Sequence, residues 1–344
     1  MAAVAGASAR NGVAALLEAL RDGADPEAAL ARGVAAASAE PWAPPAVERR
    51  GHARPLLKVQ DGCDARCAYC VVPRARGASR SMPFDAAVAA LCALGSRHAE
   101  VVLTGVHLGA YGRDLRPARS LAGLVLEAVA RGLRARVRLS SVEPLEFPRE
   151  LLRASGRRPA VCEHFHLPLQ SGSDRVLAAM RRPYRAAAYQ AVVEEVAVRV
   201  PGACLGADVM TGFPGETEAD HRATVALVEA LPLAYLHVFP FSPRPGTDAA
   251  SRPDPVTGEV ARARARELLA ISEQRWGAYL AAQAGEEAEV VVERIADGVA
   301  GGTAGRYVPV RWPAAGERRG DLVRVRIVGR DGDGCAAVRA DTPT

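Results

Sequence analysis

The stretch QDGCDARCAYCVVPRARG, residues 60–77, places Cys63, Cys67 and Cys70 in the spacing C-x3-C-x2-C. Thiolates this close together suit zinc or an iron–sulfur cluster. A structural zinc site wants four ligands, usually in paired C-x2-C halves, and here it would need a histidine such as His52 because no second cysteine knuckle follows. A [4Fe–4S] cluster ordinarily takes four cysteines. With three, one iron keeps open positions that a compound with adjacent amino and carboxylate groups can chelate. An electron carrier then becomes a reagent. The other four cysteines, Cys92, Cys162, Cys204 and Cys335, are scattered and read as small buried hydrophobes.

The elements that must position these thiols can be read from hydrophobic periodicity. Residues 10–38 read as two Ala-rich helices, and EPWAPPAVERRGHARP reads as a Pro-rich connector. From Leu56 onward, LLKVQ, EVVLTG, RVRLSS, HFHLPLQ, LGADVMTG and AYLHVFPF read as strands, each followed by a helical stretch. Such alternation predicts an α/β fold with a mostly parallel sheet, either open and doubly wound or a partial (β/α)6 barrel. The runs show no clean polar alternation, which suits strands covered on both faces. Residues 256–284 read as a final helix ending at Gly285, and EAEVVVERI, RYVPVRW, GDLVRVRIVG and GCAAVRA as the strands of a small C-terminal β-barrel.

Polar motifs follow the strands in turn. Thr104 and Gly105 lie in LTGVHLGAYG, Ser141 and Glu143 in SSVEP, Gln170 in HLPLQSGS, and Gly212 and Glu216 in TGFPGET. Taken singly, each is explained equally well as turn or cap chemistry. Their common placement at the ends of successive strands points to one ligand site. His164 and His166 flank Phe165 and share a face; they read as satisfied core or cleft histidines, with metal ligation the alternative. Arg244, between two prolines in FPFSPRPGT, reads as an anion contact or a plain surface residue.

With Tyr69 in the C-x3-C-x-aromatic-C pattern, the chain resembles the radical S-adenosylmethionine (SAM) superfamily. That resemblance implies a [4Fe–4S] cluster on Cys63, Cys67 and Cys70, SAM on its unique iron, reductive cleavage to a 5′-deoxyadenosyl radical, and Tyr69 against the adenine. Through GVHLGAYG, SSVEP, LPLQSGSDRVL, GFPGET and HVFPFSPRPGT, residues 54–344 look most like the methylthiotransferases. Among these they look closest to the branch that modifies C2 of N6-threonylcarbamoyladenosine at tRNA position 37. A different adenosine or a ribosomal protein is the alternative target, and a non-catalytic RNA-binding protein with a structural metal is the alternative class. The C-terminal segment resembles the TRAM RNA-binding domain, in which Tyr307 and Trp312 would stack on bases or close a small core, and Arg306, Arg311, Arg318 and Arg319 would meet phosphates.

The resemblance also implies an amino-terminal domain with three more cysteines holding a second [4Fe–4S] cluster, yet residues 1–62 contain no cysteine. Residues 1–50 are therefore expected to be the tail of that domain and its linker, with the radical SAM domain at 51–284 and the TRAM-like domain at 285–344. Such a chain is expected to bind one cluster and SAM but to methylthiolate poorly. Hydrophobic residues at 49%, charged residues at 24% and a net charge of +5 are those of an ordinary globular protein with an anionic partner. Nearly all the positive charge is arginine, with Lys58 the single lysine, so arginine counts say little about nucleic acid. No export or membrane signal is visible. The expectation is a cytoplasmic monomer that meets a tRNA anticodon stem-loop and a donor such as flavodoxin or ferredoxin.

Overall fold

The computed structural model describes residues 13–29, 31–32, 53–153 and 161–340. Helix α1 (Val13–Arg21) lies where the first Ala-rich helix is expected, whereas His52 and most of the Pro-rich connector fall outside the described residues. No described helix is long and apolar enough to cross a membrane.

The strands are β1 (Leu56–Asp61), the two-residue β2 (Arg80–Ser81), β3 (Glu100–Gly105), β4 (Arg136–Leu139), β5 (His164–His166), β6 (Cys204–Thr211) and β7 (Tyr235–Pro240). All but β2 were anticipated. Strands β1, β3 and β4 pair in parallel, as do β5, β6 and β7, and a bridge between Val137 and Val161 joins the two sets. The result is a partial barrel whose outer strands are β2 and β7. Around it lie α2 (Val72–Arg76), α3 (Phe84–Gly95), α4 (Leu121–Ala130), α5 (Asp174–Ala179), α6 (Ala186–Arg199), α7 (Glu218–Ala230) and α8 (Gly258–Ala281). Side-chain oxygens at their starts fix the entry points: Ser120 accepts from Gly123 N, Ser173 from Val176 N, and Thr217 forms a capping box with Asp220.

Alternation along the strands separates two environments. Leu57, Val59, Val101, Leu103, Val137, Leu139, Phe165, Leu205, Ala207 and Val209 join the helices in one apolar core. The intervening residues, among them Gln60, Glu100, Arg136, Arg138, His164, His166 and Asp208, belong to the concave side. Strands β4 and β5 are covered on both faces, as expected, whereas β7 is partly exposed, and the inner cover is polar. RVRL and HFH are therefore alternating strands after all.

Five further strands close a second barrel in the order β10-β12-β11-β8-β9: β8 (Glu287–Ala296), β9 (Val299–Ala304), β10 (Pro309–Pro313), β11 (Leu322–Asp331) and β12 (Gly334–Arg339). Strand β9, VAGGTA, has too little apolar side chain to be read as a strand. Gly302 serves close contact, since a Cβ there would stand 1.9 Å from the Val291 carbonyl oxygen. Trp312 is 1% exposed inside this barrel, with Nε1 donating to Glu317 Oε1 at 3.1 Å, so it closes the core and offers no stacking platform.

The second barrel seats against the amino-terminal ends of the first barrel's strands. There the fully buried Glu100 accepts from Arg136 Nε at 2.7 Å and Arg138 Nε at 2.6 Å, and Arg54 lies 3.4 Å away. The same guanidinium groups reach across: Arg136 Nη1 donates to Glu289 O at 2.9 Å, Arg138 Nη2 to Ala304 O at 3.0 Å, and Arg54 Nη2 pairs with Glu293 at 2.7 Å. Arg306 binds Glu163 at 2.6 Å, and Tyr307 stacks on His164 with centroids 4.1 Å apart, so both are engaged within the protein.

Burial pushes the Glu100 carboxyl up, but the charge and hydrogen bonds of Arg138, with Arg136 and Arg54, hold it at about 2 instead of its ordinary 4.5. Glu100→Gln leaves these buried cations without their counter-charge, and the expected loss of stability at neutral pH is about 3–5 kcal/mol. Because the folded value lies below the unfolded one, the native protein's advantage is full above pH 4.5 and fades as the pH falls toward 2. Urea unfolding of both proteins along a pH series measures this narrowing gap.

Candidate cluster and cofactor site

Cys63, Cys67 and Cys70 lie in the loop between β1 and α2, at the carboxyl end of β1. The chain leaves the strand through Gly62 with φ +70°, where a Cβ would stand 1.9 Å from the Ala78 carbonyl oxygen. Only glycine fits. Gln60, 0% exposed, then fastens the loop: its Nε2 donates to Asp61 O at 2.9 Å, Gly62 O at 2.8 Å and Ser79 Oγ at 3.0 Å, while Oε1 accepts from His107 N at 2.6 Å. Gly105, opposite Gln60 in the sheet, makes room for this side chain, since a Cβ there would meet Gln60 Oε1 at 3.0 Å. The far side of the loop is pinned by Ala68, which donates to Met180 O at 3.0 Å and accepts from Ala249 N at 2.9 Å.

Charged groups flank the sulfurs. Cys63 Sγ lies 3.4 Å from His107 Nδ1, and His107 Nε2 lies 2.6 Å from Glu146 Oε2. Hydrogen bonding to Cys63 and Glu146 pushes the imidazole up to about 10. Arg182 donates to Cys67 Sγ at 3.2 Å and Tyr69 Oη at 3.4 Å, and it pairs with Glu143. Burial pushes the Tyr69 phenol up, and burial also raises Glu143 although Arg182 opposes it. Burial raises the Cys70 thiol, and negative charge on Cys67 and Cys63 raises it further. Sulfurs this close are stable together as thiolates when a cationic group lies between them. This donor set fits an iron–sulfur cluster. Beside it opens a cleft of about 350 Å³ lined by Arg66, Cys67, His107, Glu143, Arg182 and Tyr184.

The other residues singled out in the sequence divide into two groups. Glu143 after β4 and Tyr69 in the loop meet beside Cys67 through Arg182, Thr104 and Gly105 end β3 with Gly105 against Gln60, and Ser141 is exposed on the segment after β4. Gln170 has φ +68° and pairs by its backbone with β6, its N donating to Asp208 O at 2.8 Å. Gly212 and Glu216 form a closed lock: Glu216 Oε2 accepts from Gly212 N and from Arg264 Nη1, each at 2.7 Å. Glu216 is buried, so its structural task is to shape the turn. Gln60, His107 and Arg182 escaped notice in the sequence. His107 lies in LTGVHLGAYG and Arg182 five residues after LPLQSGSDRVL, and only the fold carries them to the sulfurs.

Residues 57–228, half of the chain, match the Radical SAM superfamily. The chain belongs to that superfamily. Membership implies a [4Fe–4S] cluster and SAM. The chain is 38% identical over 280 residues to a tRNA-2-methylthio-N(6)-dimethylallyladenosine synthase of Cereibacter sphaeroides, covering 79% of this chain and 62% of that protein. It is 36% identical over 299 residues to the threonylcarbamoyladenosine tRNA methylthiotransferase MtaB of Thermotoga maritima, covering 84% and 66%. The chain thus spans a little under two thirds of these relatives' length. Among solved structures, Escherichia coli coproporphyrinogen III oxidase (HemN) aligns with 67% of this chain and 55% of its own, at TM-score 0.48 and 16% identity.

Gln60→Leu removes the tie between the loop and the segment after β3. Each polar group it orphans is expected to cost about 1–3 kcal/mol. Hydrogen–deuterium exchange should show lost protection at the His107 amide, with α6 unchanged.

Proposed function

We propose that this chain carries the SAM-cleaving and RNA-facing parts of a tRNA methylthiotransferase acting at C2 of N6-threonylcarbamoyladenosine, position 37. The observation that carries the reading is the three-thiol loop, in a chain 36% identical to MtaB over 84% of its length. Cys63, Cys67 and Cys70 would hold the cluster, which when bound supplies the electron for reductive cleavage of SAM. Arg182 steadies Cys67 and orients Tyr69, and Glu143 balances its charge. His107, held by Glu146, offers a hydrogen bond to Cys63. Tyr69 packs on the apolar cluster of Ala68, Met180 and Phe213, shielding the loop from water. Thr104, Gly105, Ser141, Glu143 and Gln170 are the proposed cofactor contacts, with Gly212 and Glu216 shaping their rim.

In this reading residues 51–284 form the radical SAM domain and 285–344 a TRAM-like domain. Arg318 and Arg319 are exposed on the second barrel and suit phosphate contacts. The tRNA anticodon stem-loop is the proposed partner, with flavodoxin or ferredoxin as electron donor and a cytoplasmic monomer as the working form. A second cluster would need ligands beyond the three thiols of the loop.

A second reading, modification of dimethylallyladenosine, is favoured by the 38% identity to the Cereibacter sphaeroides enzyme. The wording of the segment from Gly105 to Gly112 favours the first, and SPRPGT favours a tRNA over a ribosomal protein. Nucleoside mass spectrometry of tRNA from a deletion strain separates them: loss of the methylthio form of threonylcarbamoyladenosine supports the first, and its persistence refutes it. Anaerobic reconstitution is expected to give about four irons per chain and SAM-dependent 5′-deoxyadenosine. Cys67→Ala should abolish both, whereas zinc as the sole bound metal would overturn the assignment.

A further inference from the structure

Three ligand-type side chains meet on the concave face away from the thiol loop. Adjacent strands contribute one each: His166 from β5, Asp208 from β6 and His237 from β7, the last two directly paired in register. His166 Nε2 lies 2.9 Å and His237 Nδ1 3.3 Å from the same oxygen, Asp208 Oδ1. The two imidazoles stack with centroids 4.8 Å apart. Ligand atoms at about 2.1 Å from a common ion stand about 3.0 Å apart across an octahedral edge and about 3.4 Å across a tetrahedral one. The separations on Asp208 Oδ1 match this range.

We propose that His166, Asp208 and His237 form a binding site for a divalent first-row transition ion of the zinc or iron(II) class. Two imidazoles and one carboxylate select such ions over magnesium or calcium. The arrangement has the outer support a metal site needs, because Tyr235 Oη lies 3.0 Å from His166 Nδ1 and fixes the ring. Tyr235 Oη also lies 2.8 Å from His164 Nε2, which anchors that support to the floor of the barrel. The His237 side chain is 53% exposed and borders a cleft shared with Trp276 and Tyr307, so ions have an entry path. The inference does not depend on which tRNA base is modified, or on whether any is.

The test uses the full chain reconstituted anaerobically, so that the cluster occupies the thiols, titrated with Zn²⁺ and Co²⁺ and followed by elemental analysis and visible spectroscopy. One ion beyond the cluster is expected, with Co²⁺ bands free of thiolate charge transfer. Losing an outer partner alone weakens metal sites about 10–100-fold, so Tyr235→Phe should fall in that range and His237→Ala should lose more than about 100-fold. Iron content and melting temperature of His237→Ala should stay unchanged, which separates loss of this site from failure of the cluster or the fold. No ion beyond the cluster, thiolate charge transfer in the cobalt spectrum, or unaltered affinity in His237→Ala would overturn the proposal.

Discussion

Gln60 commits both ends of one buried carboxamide to backbone and loop, and the placement of the three sulfurs follows from that commitment. The loop from Gly62 to Val71 has no ladder of its own, so its polar backbone needs partners from elsewhere. Gln60 provides them on one side, Met180 and Ala249 on the other. Two glycines make this possible for different reasons. Gly62 supplies a left-handed turn beneath Ala78, and Gly105 leaves the volume that the carboxamide fills.

The polar lining of the partial barrel is organised in levels. At the carboxyl ends of the strands, Arg182 and His107 face sulfur and carboxylate. At the amino ends, Glu100 gathers three arginines, and through them the second barrel. Between these levels stand the histidines and Asp208. Placing so many charges inside a fold is tolerable only where each has a partner, and the pairings here are largely between neighbouring strands. The inner face therefore ties the strands together with ion pairs while the outer face ties them to helices with apolar contact.

Much of this architecture is legible in the sequence, for identifiable reasons. The cysteine spacing is local, so the thiol loop could be read directly. Strands such as EVVLTG are apolar runs with clear ends, and α8 is a long stretch free of proline between Thr257 and Gly285, so both could be read. Strand β2 is too short to leave a signal, and β9 hides behind Gly301 and Gly302, the second of which is there for close backbone packing. Trp312 illustrates a different limit. An aromatic residue in a small barrel can face either way, and only the register of β10 against β9 sends it inward. Arg182 and His107 could not be assigned because their partners lie 115 and 44 residues away. His166, Asp208 and His237 likewise become neighbours only once three strands are aligned.

The incomplete circle of strands has its own consequence. A closed eight-stranded barrel admits ligands chiefly along its axis, over the strand ends. Here β2 and β7 end the curve without pairing to each other, and the second barrel stops the bottom. The backbone that closure would have paired is met on the β7 side by α8, whose Ser272 Oγ accepts from Leu236 N at 2.8 Å, so a helix does there what a neighbouring strand does in a closed barrel.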